Sequence, residues 1–159
     1  MESTIDAGGE VLMIRRDKNG KILSKRRFFN ISTTILREEL VQKMAESDVA
    51  SQQLGKVKYG GVGTVATAET EADTQLGNET QRVVPSGIVQ TGTILEVTLT
   101  FGGSWTGTIY EVGIFGGVLA TSVIDTGSLY FRTAIPGGET KQTADETISF
   151  VWTINLADA

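Results

Sequence analysis

The chain has 159 residues, with 14 Lys or Arg against 19 Asp or Glu and a formal net charge of −5. It contains no His and no Cys, which excludes Ser-His-Asp and Cys-His nucleophiles, Cys/His zinc sites, disulfides and imidazole acid–base chemistry. With 19 Gly, 21 Thr and only two Pro, it reads as a strand-and-turn domain of ordinary size, and composition is silent about activity.

The first thirty residues hold no apolar stretch of signal-peptide length, and no apolar run is long enough for a bilayer-spanning helix. Residues 1–8 are expected to be a flexible tail, and residues 9–159 a single β-sandwich domain. Val11 to Ile14 form one arm of an N-terminal β-hairpin over residues 9–29, and Ile22, Leu23, Phe28 and Phe29 lie on the other. Asp17-Lys18-Asn19-Gly20 turns between them, with Asn-Gly offering two residues that tolerate positive φ. Seven cations crowd residues 1–30 against four acids, whereas residues 60–159 carry three cations and eleven acids. The plainer reading is a solvated hairpin whose charges keep an edge strand from aggregating. The sharper one is a docking arm for an acidic surface, with Arg15, Arg16, Lys25, Arg26, Arg27, Phe28 and Phe29 as contacts and Trp105 joining from a later turn. Nucleic acid is not an expected partner of an acidic chain with so few aromatics beside its cations.

One helix is expected over about 34–47. Ser32, Thr33 and Thr34 offer N-cap oxygens, Glu38 and Glu39 suit the positive end of the dipole, and Leu36, Leu40 and Met44 make one apolar stripe that packs across a sheet. Beyond residue 54 the chain reads as strands and turns. Lys56 to Tyr59 is a short strand running into a glycine turn, Gly60-Gly61-Val62-Gly63-Thr64, and residues 65–81 are a long polar loop. Ile94 to Phe101 alternates, with Leu95, Val97, Leu99 and Phe101 facing inward. Thr108 to Phe115 and Leu129 to Ile135 are strands, and the last strand places Ile148, Phe150, Trp152, Ile154 and Leu156 on one face. The expected fold is mainly β, an antiparallel sandwich with an N-terminal hairpin and one packed helix.

Candidate chemistry is sparse. The glycine run lacks the Lys of a P-loop and the following helix of a dinucleotide fingerprint. Glu69, Glu71, Asp73 and Glu79 lack the spacing of an EF-hand and read as a solvated acidic loop, so no metal or cofactor is expected. Glu111 sits in an apolar strand, where an ionised carboxylate needs a partner. Arg132 and Arg82 are the only arginines beyond Arg37, so a structural ion pair of Glu111 with one of them is expected. A catalytic Glu111 would need a second placed acid, and no catalytic residue is assigned. Trp152 reads as core, and Trp105 as a turn residue folded over the end of the sandwich.

Several segments in order resemble a family of tailed-bacteriophage virion structural proteins: Asn30-Ile31 before the helix; Gly61-Val62-Gly63-Thr64; a box with Asp73, Thr74, Leu76, Glu79 and Arg82; Glu111, Gly113, Ile114 and Phe115; Gly127, Leu129 and Arg132; and a closing Ile148, Trp152 and Ile154. The likeness spans about residues 30–156, and the chain departs from it by a longer stretch at 116–126. It implies a non-enzymatic component of the virion, assembled in the bacterial host cytoplasm. The implied role is a capsid decoration (cement) protein, homo-oligomeric, that stabilises the head through repeated interfaces with the major capsid protein. A compact chain without fibre repeats fits that role better than the alternative, a tail-fibre or baseplate adaptor bound to tail proteins. No membrane partner is implied. A third reading, independent of the family, is a carbohydrate-binding module in which Trp105 and Tyr110 stack on sugar.

Overall fold

The structure, a computed structural model, describes residues 9–36 and 56–155. The expected tail at 1–8 and most of the expected helix, including Leu40 and Met44, lie outside the described residues, as does Leu156. The described residues form nine antiparallel strands: β1 (Gly9–Arg16), β2 (Ile22–Ser32), β3 (Val57–Gly63), β4 (Glu79–Val83), β5 (Gly87–Thr91), β6 (Ile94–Phe101), β7 (Gly107–Gly116), β8 (Ser128–Lys141) and β9 (Thr147–Asn155). They pair in the order β4-β3-β7-β8-β2-β1-β9-β6-β5, one sheet curled into a half-barrel. The eleven-residue β2 makes the corner. Its first part pairs with β1, from Arg16↔Ile22 to Gly9↔Asn30, and its end pairs with β8 through Ile31↔Arg132 and Ser32↔Phe131. The two arms of the sheet thereby face each other, which gives the sandwich its two layers.

Alternation puts the core between those layers. β6 and β9 pair in register from Ile94↔Asn155 to Phe101↔Ile148, so Val97, Leu99, Phe101, Phe150 and Trp152 lie on one inner face. Val11 and Met13 from β1, Val62 from β3, Val112 and Ile114 from β7, and Tyr130 and Ile135 from β8 complete the same cluster. Phe101 meets Phe150 edge-on at 5.9 Å between centroids, a favoured aromatic geometry. Leu36 joins this core, and the Leu36 N–H donates to Thr33 Oγ1 at 3.4 Å, so Thr33 caps the helical turn at 34–36.

Four local expectations are corrected. The glycine run 60–63 is not a turn but the second half of β3, paired on both sides with β4 and β7. Its glycines admit close neighbours: a Cβ at Gly60 would stand 2.1 Å from Leu99 Cδ1 of the opposite layer. The polar segment after it ends earlier than expected, because Glu79–Val83 pairs as β4. β8 continues past Ile135 to Lys141, through a bulge in which Gly137 and Gly138 adopt φ of +77 and +70. In the hairpin only Gly20 has positive φ (+80); Asn19 does not, and Asp17 Oδ1 holds the turn by accepting the N–H groups of Asn19 and Lys21 at 2.8 and 2.9 Å.

Candidate functional site

The outer face of the β3–β4–β7–β8 layer is nearly stripped of side chains along its middle. Gly61 faces Gly113 and Arg82 across the ladders, and Gly63 faces Glu111 and Glu79. A Cβ at Gly61 would lie 2.4 Å from Glu79 Oε1, and one at Gly63 2.3 Å from Glu111 Oε1. The glycines therefore open a trough in which two buried carboxylates lie. Loop 64–78 crosses this trough, with Leu76 packed on Phe115 and Leu129 as a small second core beneath it.

Both carboxylates are held by arginine. Arg132 Nε donates to Glu111 Oε2 at 2.9 Å, and its Nη2 lies 2.8 Å from the same oxygen. The remaining capacity of Glu111 is taken by backbone N–H groups of the loop: Gly77 at 3.0 Å, Asn78 at 3.2 Å and Val65 at 3.4 Å. Arg132 reaches onward, donating to Asp73 at 2.6 Å, to Thr67 Oγ1 at 2.9 Å and to the carbonyls of Thr67 and Ala68 at 3.2 Å. Arg82 pairs not with Glu111 but with Glu79, through two parallel bonds of 2.6 and 2.7 Å. Its third nitrogen donates to the carbonyls of Thr121 and Thr126 in loop 117–127, and Glu79 accepts the N–H of Asp125 at 2.8 Å. Asp125 is the one non-glycine with positive φ (59) among the described residues. The Arg82 guanidinium also lies over the Phe115 ring at 4.2 Å.

Burial pushes the Asp73 carboxyl up, but the Thr70 N–H, Arg132 and the Thr70 hydroxyl outweigh it and hold Asp73 below its ordinary value. Burial conversely disfavours the charged Arg132, yet its bond to Asp73 and the charge of Glu111 raise its pKa above the usual arginine value. The expected solvated acidic loop is thus corrected. Asp73 and Glu79 are bonded to arginine, and Glu69 accepts the N–H of Ala134 at 3.2 Å. Among the described residues no group of three or more acids is placed to hold a metal ion.

Asp73, Leu76, Glu79, Arg82, Glu111, Gly113, Phe115, Leu129 and Arg132 come from three separate stretches of sequence and meet in this one place. Gly127 belongs beside them: it has a φ of +82 and lies against Ala120, where a Cβ would be 2.4 Å from the Ala120 methyl. The motifs that suggested a family therefore describe a pair of latches. One ties loop 64–78 to the sheet, the other ties loop 117–127. Every oxygen of Glu111 and Glu79 is spent on a latch, and an acid with both oxygens engaged in this way is poorly placed to exchange protons with a substrate.

The hairpin cations divide by face. Arg15 and Arg26 turn inward to Glu139, with Nε of Arg15 at 3.2 Å from Oε1 and Nη1 of Arg26 at 3.9 Å from Oε2. Arg26 also donates to the Gly138 carbonyl at 2.8 Å and stands 4.9 Å from the centroid of Phe28, which packs against the core. These three residues hold the hairpin down on the bulge of β8 instead of offering a docking surface. Lys25, Arg27 and Phe29 face outward; Arg27 pairs with Glu10 at 3.3 Å and Phe29 is 81% exposed. Arg16 reaches back to the Gly20 carbonyl at 3.4 Å.

Trp105 packs against the main core. Its ring lies 5.3 Å from the ammonium of Lys141, a side chain with no exposed surface. Lys141 Nζ donates to the carbonyls of Gly103, Trp105, Thr143 and Ala144 at 2.7–3.1 Å, tying two turns together. Sequence reasoning passes over Lys141, because a lone lysine at a strand end carries no pattern. It also passes over the apolar side chains of loop 117–127. Leu119 is 79% exposed, Val123 62% and Val118 53%. Their signal is legible in retrospect: large aliphatics among Gly, Ser, Thr and Asp, with no partner strand. Lys58 donates to the Val118 carbonyl at 3.3 Å, so this loop adjoins the groove formed by Tyr59, Val84, Pro85 and Ile88.

Among the described residues no helix is long and apolar enough to cross a membrane. Comparison with known proteins finds no family model, no curated protein and no solved structure that matches this chain.

Proposed function

We propose that this chain is a non-catalytic structural subunit that works by seating a rigid apolar loop against neighbouring proteins. Loop 117–127 carries the reading. It exposes Val118, Leu119, Val123 and Ile124 while Arg82 and Glu79 fix its backbone from beneath. Exposed aliphatics on a fixed backbone lose little conformational entropy on docking, which favours tight packing against a partner. Contiguous exposed apolar surface is also what marks an interaction site.

The resemblance of the ordered motifs supports reading this subunit as part of the particle of a tailed bacteriophage, a capsid decoration protein that bridges shell subunits through many copies of one interface. A tail-fibre or baseplate adaptor draws on the same motifs and the same loop. The stacking platform required of a sugar-binding module is weakened by the position of Trp105, half-buried and covered by Lys141.

Protein stoichiometry in purified particles tests the reading: hundreds of copies per particle support decoration, a handful supports the tail, and none sinks the virion assignment. Leu119→Asp gives the complementary test. It is expected to leave the melting temperature within about 2 °C, since an exposed substitution away from special features changes stability by about 0.5 kcal/mol or less, and to abolish attachment to particles lacking the protein. Unchanged attachment would remove loop 117–127 from the interface.

A further inference from the structure

Among the described residues the curled sheet ends in two edge strands, β4 and β5, and they are treated differently. Loop 117–127 is bonded to β4 through the side chains of Arg82 and Glu79. Among the described residues nothing comparable covers β5: four of its five residues, Ile88 to Thr91, are exposed, with Ile88 at 47% and Val89 at 57%. An edge strand presents a row of unpaired backbone N–H and C=O groups, and proteins usually block it with lysine, proline or a bulge. Gly87-Ile88-Val89-Gln90-Thr91 contains no charge and no proline, and it pairs with β6 without a register shift.

We propose that β5 is a self-association edge, pairing antiparallel with β5 of a second copy about a two-fold axis near Val89. Charge favours a second copy as the occupant. From Val83 to Leu95 the sequence has no charged residue, although the region from residue 60 onward is strongly acidic. Two copies can meet along this strand without bringing like charges together, whereas a charged partner segment finds nothing there to pair with. Antiparallel pairing centred on Val89 sets Val89 opposite Val89 and Ile88 opposite Gln90, with the sheet continuing across the axis. A five-residue edge is small beside the roughly 1,000 Å² of a stable interface, so the association is reversible and concentration-dependent.

The absence of cysteine from the chain makes the test clean. In the full chain, Val89→Cys is compared with Leu119→Cys under mild oxidation, and the unmodified protein is followed by sedimentation over a range of concentrations. The expected results are a mass rising from 17.0 kDa toward twice that value and a disulfide dimer formed at least tenfold faster at position 89 than at 119. Val89→Lys is expected to hold the mass at the monomer value with unchanged circular dichroism. Gln90→Lys repeats the test without removing an apolar side chain, in case the first variant folds poorly. A protein that stays monomeric at all concentrations, or one whose association survives both lysines, overturns the proposal. Faster cross-linking at position 119 would do the same and assign self-association to the loop.

Discussion

Arg132 is the residue on which most of the polar architecture turns. It spans Glu111 and Asp73 with its side chain only 4% exposed. Removing one member of a buried pair strands the other charge, at about 3–5 kcal/mol. Glu111→Ala and Arg132→Met are each expected to lower stability by that amount in urea unfolding. Because they share one interaction, the double variant should lose clearly less than the sum, and additive losses would show that the pair is not coupled. Asp73 gives a pH signature. Its carboxyl sits below the ordinary value of 3.8 in the folded protein, so its contribution is fully present above that value and is lost as pH falls through the folded pKa. Stability between pH 5 and 2 should therefore fall less steeply in Asp73→Asn than in the parent; identical slopes would remove Asp73 from the latch.

β3 shows how an element can be built for its neighbours. Glycine is a poor strand former, yet three of the seven residues of β3 are glycine. The cost to the strand is offset by what the missing side chains admit: Leu99 on the inner face, Glu79 and Glu111 on the outer. Gly63→Ala would force its methyl against Glu111 Oε1 and the Asn78 carbonyl, and overpacking of this kind costs about 1–3 kcal/mol. The expected readout is a lower urea midpoint together with faster proteolysis in loop 64–78. An unchanged midpoint would mean that the carboxylate can step aside freely.

For the molecule as a whole, Lys141 braces the turns that follow β6 and β8, drawing four backbone carbonyls around one ammonium. Lys141→Met keeps the volume and removes the donors. With carbonyls left unpaired at about 1–3 kcal/mol for such a group, a loss of at least about 2 kcal/mol is expected. Trp105 emission should shift to the red as its turn loosens, while Trp152, with no exposed surface, reports only global unfolding. A blue or unmoved emission maximum would show that the turn holds without the lysine.

Two strands, β6 and β9, are legible as a two-residue period, because one buried face imposes alternation on the chain, and β1 is legible as the apolar arm before an Asn-Gly turn. The sequence by itself also marked Glu111 as an acid in need of an arginine, because an isolated charge in an apolar strand is too costly to leave unpaired. It could not determine which arginine: Arg82 and Arg132 are equivalent in one dimension, and only the pairing of β4 with β3 and of β8 with β7 gives each acid its own partner. The glycine run misleads for a related reason. Glycine signals a turn when only local backbone freedom is weighed, whereas here it marks space claimed by residues far away in the chain. Only the packed chain shows that Arg15 and Arg26 turn inward, that a lone lysine braces two turns, and that, among the described residues, one edge strand carries a bonded loop while the other does not. Burial and distance are properties of the packed chain, and composition and period record them only where a whole face of an element shares the same fate.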